Sequence, residues 1–253
     1  MATVAAAPAT RSNSARAIPD LRYEHLFFSG VSIAMLLTVF FGFARTYYLA
    51  GVFHAPLPSL IIHIHGAAFT CWILLLVTQT SLVASGNTGV HRKLGIAGFL
   101  LGCFMVVLGP LAATDSLVRG AGPAGRDTKA FYLTPLTDIV IFATLLFFAF
   151  RNRRNPVSHK RFIYIATTAL LIAAVARMPF AFSHRLHPQS EALTWIFLLC
   201  LAGYDLWSTQ KIHRVTLCAS AFLIFIQLIR IPIGKSAAWH AFATWVMSHA
   251  HWV

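Results

Sequence analysis

The chain has 253 residues, of which 58% are hydrophobic and 11% charged, with a mean hydropathy of +0.71. A soluble domain carries about a quarter charged residues, so this composition excludes an ordinary soluble fold and indicates a membrane protein. The net charge of +13 does not imply nucleic acid, because the basic residues sit at the ends of apolar runs, where anionic lipid headgroups and insertion topology account for them.

Residues 1–22 are rich in Ala, Pro, Ser and Arg and lack the apolar core of a secretory signal; they read as a disordered cytoplasmic tail. Seven apolar runs follow, near Leu26–Leu49, Leu60–Ala84, Leu94–Ala113, Phe131–Phe150, Phe162–Phe182, Leu193–Trp207 and Val215–Ile233. The expected fold is an all-α polytopic bundle of about seven spans over residues 23–234. Residues 235–253 contain Trp239, Trp245 and Trp252 and read as an interfacial tail, since indole rings favour the headgroup level.

Charge placement orients the spans. One side receives Arg11, Arg16, Arg22, Arg92, Lys93, Arg151, Arg153, Arg154, Lys160, Arg161, Lys211 and Arg214. The other receives only Arg119, Arg126, Lys129, Arg185 and Lys235. The positive-inside rule then puts the N-terminus in the cytoplasm and the C-terminus outside, in a bacterial inner membrane.

The second run carries His63, His65, Trp72 and Gln79. Polar groups at membrane depth are costly, so each needs a partner or a purpose. Residues seven apart return nearly to one helix face, which places His65, Trp72 and Gln79 on one stripe. His63 and His65 point to nearly opposite sides and do not serve one metal. Asp138 and Arg177, with Arg45 and Arg230, fall with His65 in one slab below the outer surface, at about 1.5 Å per residue. Asp138 is too short to reach the headgroups, and Arg177 or His65 is its expected partner. Such a layer would bind an anion or haem propionates through bidentate arginines. The alternatives are snorkelling anchors for the arginines and a packing hydrogen bond for Asp138.

A second set, His25, His91, His159 and His213, opens the first, third, fifth and seventh runs at the cytoplasmic side. Two histidines on facing helices at one depth suit axial haem ligation. The basic residues that follow the last three fit headgroup contact as well. Glu24 and Glu191 are the only glutamates, and His-Glu-x-x-His, Gly-x-Ser-x-Gly, P-loop and dinucleotide patterns are absent. No resident metal centre is therefore expected. Cys71, Cys103, Cys200 and Cys218 lie within apolar runs and read as reduced, buried small hydrophobes.

The segment Phe43-Ala44-Arg45-Thr46-Tyr47-Tyr48-Leu49, the run from His63 through Gln79 to His91-Arg92-Lys93-Leu94-Gly95, Thr137-Asp138, His159-Lys160-Arg161 and Arg177-Met178-Pro179 together resemble a family of bacterial multispan membrane proteins of uncharacterised role. A fainter likeness, to haem A synthase and the transmembrane b-type cytochromes, implies helix-borne histidines beside a porphyrin, here His63, His65, His91 and His159 with haem b. The functional expectation is a haem- or quinone-associated redox protein with its site at Arg45, His65, Asp138, Arg177 and Arg230. A transporter of a small anion or metal ion, or a non-catalytic subunit of a membrane complex, are the alternatives.

Overall fold

The computed structural model describes residues 21–56, 58–122, 125, 127–178 and 190–250. The expected tail over residues 1–20, Arg126 and Arg185 lie outside them. The described residues are helical, with no strand among them.

Among the described residues nine α-helices follow in order: α1 (Leu21–Phe43), α2 (Leu60–Ala84), α3 (Thr88–Val118), α4 (Thr128–Arg151), α5 (Pro156–Leu170), α6 (Ile172–Val175), α7 (Ser190–Thr209), α8 (Arg214–Gly234) and α9 (Ala237–His249). A π-helical turn, Ala44–Tyr48, extends α1. Among the described residues six segments are long and apolar enough to cross a membrane: Leu21–Tyr48, α2, α3, α4, Ala192–Thr209 and α8. The expected fifth run behaves differently. It starts at Pro156, where the Asn155 side chain caps the first turn, and breaks at Leu171. Thr167 and Thr168 turn their hydroxyls onto the carbonyls of Ile163 and Tyr164, and this back-bonding bends helices. The next turns tighten to three-residue bonds, Leu171 N–H to Thr168 and Ala174 N–H to Leu171.

α5 is also the innermost rod. It packs on α4, α7 and α8, while α6 meets α1. Tyr164, Ile165, Ala166, Thr167, Thr168 and Ala169 are all buried. Around it, Met35, Trp72, Met105, Phe142, Leu201 and Leu223 fill one apolar core. Leu26, Phe41, Leu100, Val107, Leu199 and Phe225 face outward, as lipid contact requires. Burial of the cysteines is corrected here: all four are free thiols, but they lie on the bundle's exposed faces. The residues of an apolar span are divided between core and lipid by helix packing, and hydropathy alone does not distinguish the two.

The ends of the bundle differ. The α2–α3 and α4–α5 turns and the start of α1 bring Glu24, Arg92, Arg153, Arg154 and Lys160 to one end, called the basic end below. At the opposite end, α9 folds back onto α3 and α4. Its Trp239 indole donates to the Lys129 carbonyl at 2.7 Å, and His240 Nε2 lies 3.1 Å from Asp127. Asp115, buried at the end of α3, pairs with Arg119 and accepts from the Ser59 hydroxyl at 2.9 Å.

Candidate functional site

The five residues of the expected outer layer do not share one arrangement. Asp138 is buried, about midway along α4, and does not face lipid. Its carboxylate accepts from Arg230 Nη1 at 2.6 Å, and the same nitrogen donates to the Thr137 hydroxyl at 3.1 Å and the Thr134 carbonyl at 3.4 Å. The cation expected from Arg177 or His65 is thus supplied by Arg230. Arginine suits a desolvated pair, because its fork satisfies several acceptors at once.

Arg177 instead donates to the Ala173 carbonyl at 2.7 Å and lies over the Phe43 ring at 4.9 Å. Arg45 is exposed on the π-helical turn, over the Phe53 ring at 5.3 Å, which is the posture of an interfacial anchor. The His65 ring stacks on Phe69 at 4.1 Å, and its Nδ1 is buried with no hydrogen-bond partner. His63 is exposed beside Tyr47.

The larger feature lies at the basic end. A cavity of about 690 Å³ runs between α1, α2, α3, α4 and α5, within the range of about 300–1,000 Å³ that ligand sites occupy. Its deep walls are apolar: Met35, Trp72, Leu76, Phe99 and Leu146. Trp72 is held there by donation from Nε1 to the Thr167 hydroxyl at 3.2 Å and by an edge contact with Phe142. The rim carries Arg92, Arg153, Arg154 and Lys160. Lys160 is bridged to Glu24 at 2.6 Å and sits over Phe28.

Three of the four inner histidines, His25, His91 and His159, line this cavity. The His91 and His159 rings lie 6.5 Å apart, centre to centre, and nearly perpendicular at 79°. His159 Nδ1 is 2.9 Å from the Ala149 carbonyl, and since a carbonyl only accepts, Nδ1 is the donor in that contact. His91 Nδ1 and Gln79 Oε1 are both buried without a partner. His213 stands apart and caps α8, accepting from the Val215 N–H at 3.1 Å through Nδ1. Burial, and then the Arg161 charge, hold its pKa below the ordinary imidazole value.

Trp72 and Gln79, two of the three residues placed on one stripe of α2, both face the cavity. Arg161 and Asp205 carry a role that charge counting misses. Arg161 is completely enclosed against Asp205, which also accepts from the His213 N–H at 3.0 Å and the Thr216 hydroxyl at 2.5 Å. An acid inside the sixth apolar run was the available signal. Among the described residues, no group of three or more His, Cys, Asp or Glu is placed to hold a metal ion. Comparison with family models, curated proteins and solved structures gives no match, so functional inference rests on this geometry. The chain is a helical bundle with membrane-length apolar helices and buried charged residues.

Proposed function

We propose that the protein is a redox protein of a bacterial inner membrane whose cavity at the basic end would hold haem b, with His91 and His159 as the residues that would bind its iron. The observation that carries this reading is the 6.5 Å separation of two perpendicular imidazoles in one cavity wall. Two imidazoles at that separation leave room for one metal ion between the rings.

The donor set supports it further. Arg92, Arg153, Arg154 and Lys160 at the rim match a pair of propionates, and Met35, Trp72, Phe99 and Leu146 match an apolar macrocycle. Bound haem would supply one-electron chemistry; the protein's part is to orient the imidazoles, exclude water and neutralise the carboxylates. The outer layer around Asp138 then serves packing, and the basic end lies in the cytoplasm against anionic headgroups. A quinone is the other redox ligand that an apolar cavity with histidine and amide groups suits.

The test is an absorption spectrum of detergent-purified protein. A Soret band is expected, with α and β bands of a low-spin haem on reduction, and both His91→Ala and His159→Ala should abolish the low-spin signature. A wild-type protein with neither a Soret band nor a solvent-extractable quinone would falsify the redox reading.

A further inference from the structure

Gln79 is an amide inside an apolar helix, and its surroundings are specific. Its Nε2 crosses from α2 to α3 and donates to the main-chain carbonyl of His91 at 3.3 Å. Gly95, one turn along α3, is its neighbour on that helix: a Cβ there would stand at ordinary contact distance, 3.5 Å, from that nitrogen. The amide therefore lies over the first turn of α3. Its orientation is set, because only the N–H end answers a carbonyl. Oε1 is then left buried and unpartnered in the cavity wall, and His91 Nδ1 is the other buried, unpartnered polar atom there.

One orphan is an acceptor, and the other becomes a donor when its nitrogen is protonated. Orphaned buried polar atoms are costly, so two of complementary kind on neighbouring side chains need an explanation. His159 offers the comparison. Its Nδ1 already has a backbone acceptor at Ala149, and ligating histidines habitually donate their second N–H in this way.

We infer that Gln79 is the positioning residue for His91: Nε2 holds the His91 main chain, while Oε1 is the acceptor available to His91 Nδ1–H, which would leave Nε2 as the ligating nitrogen. The inference rests on the cavity reading above. Both histidines would then be fixed from behind, one by a carbonyl and one by an amide.

The experiment compares wild type, Gln79→Leu and Gln79→Glu by redox titration of the bound haem and by ring-nitrogen NMR of His91. An acceptor behind an imidazole raises its basicity and favours the oxidised metal. Gln79→Leu should raise the midpoint potential and move the proton from His91 Nδ1. Gln79→Glu keeps an acceptor oxygen and should hold the potential at or below the wild-type value. A purely structural Gln79 would weaken cofactor retention in both variants without splitting their potentials, and that result overturns the inference. So does a Gln79→Leu protein with wild-type potential and an unchanged His91 tautomer. If the leucine variant does not fold, the wild-type spectrum decides, and a proton on His91 Nε2 in the cofactor-free protein refutes the assignment. Absence of haem from wild type sinks the cofactor reading alone, because the tautomer still reports on Gln79.

Discussion

Asp205 receives the Arg161 guanidinium, the His213 N–H and the Thr216 hydroxyl, and so ties α5 and α8 to α7. Side-chain exposure is 4% for Arg161 and 0% for Asp205. Removing one partner strands a buried charge, which costs about 3–5 kcal/mol, whereas replacing both by apolar groups is often neutral. Asp205→Ala should therefore lower the detergent melting temperature sharply, and the double variant Arg161→Met/Asp205→Leu should recover most of it; equal loss in both would show the pair is not the cause. His213 predicts a pH dependence. Its folded pKa lies below the unfolded value, so the folded state binds fewer protons. Its contribution is complete above about pH 6.5 and is lost as the pH falls below that value. Protonating Nδ1 also removes the acceptor that caps α8. His213→Asn keeps a capping oxygen without titrating, so its melting curve should be flatter than the wild type's between pH 7.5 and 5, both values being about one unit or more from the ordinary imidazole pKa. Parallel curves would remove His213 as the source.

Helix contacts in the bundle depend on where side chains are absent. A Cβ at Gly42 in α1 would overlap the Ala174 backbone, reaching 2.7 Å from its Cα, whereas one at Gly30 meets nothing within 4 Å. Small residues let helices approach closely. Gly42→Ala should force α1 off α6 and cost about 1–3 kcal/mol as overpacking does. Gly30→Ala should be neutral or gain up to about 1 kcal/mol from helix propensity. Thermal unfolding of the two variants in the same detergent checks the contrast, and equal effects would show that the close crossing is not tight. The same scale explains what hydropathy missed in the fifth run. Phe162–Phe182 reads as one span by composition, but Thr167 and Thr168 bond to carbonyls four residues back and the α-helix is interrupted at Leu171, between α5 and α6. α2 carries its own adjacent hydroxyls, Thr80 and Ser81, both on the Val77 carbonyl close to its C-terminal end, and follows the expected Leu60–Ala84 limits.

Across the molecule, the helical class and the positions of most spans were legible because hydropathy is additive along a chain. Asp138 was legible as a buried acid because a carboxylate among apolar residues requires a partner. That the partner is Arg230 depends on how α4 faces α8, which single-helix periodicity does not encode. The cavity was illegible for the same reason, since its wall draws single faces from five helices. His91 and His159 were recognised as residues of one end, but their 6.5 Å approach is a property of the α3–α5 packing. The orientation of that end bears directly on function. If the basic end is cytoplasmic, as the charge bias implies, then Asn87→Cys in the α2–α3 turn should resist an impermeant maleimide in intact cells and react after permeabilisation. Ala121→Cys, beyond the end of α3, should react in both conditions. The endogenous thiols Cys71, Cys103, Cys200 and Cys218 lie on exposed faces of the apolar helices, so in a bilayer they should stay unlabelled by this reagent while the membrane is intact. The reverse pattern for the two introduced cysteines would turn the cavity mouth outward. It would also set twelve basic residues against the membrane potential, at about 2.3 kcal/mol for each charge that crosses 100 mV. Labelling of both positions in intact cells would contradict a bundle that encloses its own ends.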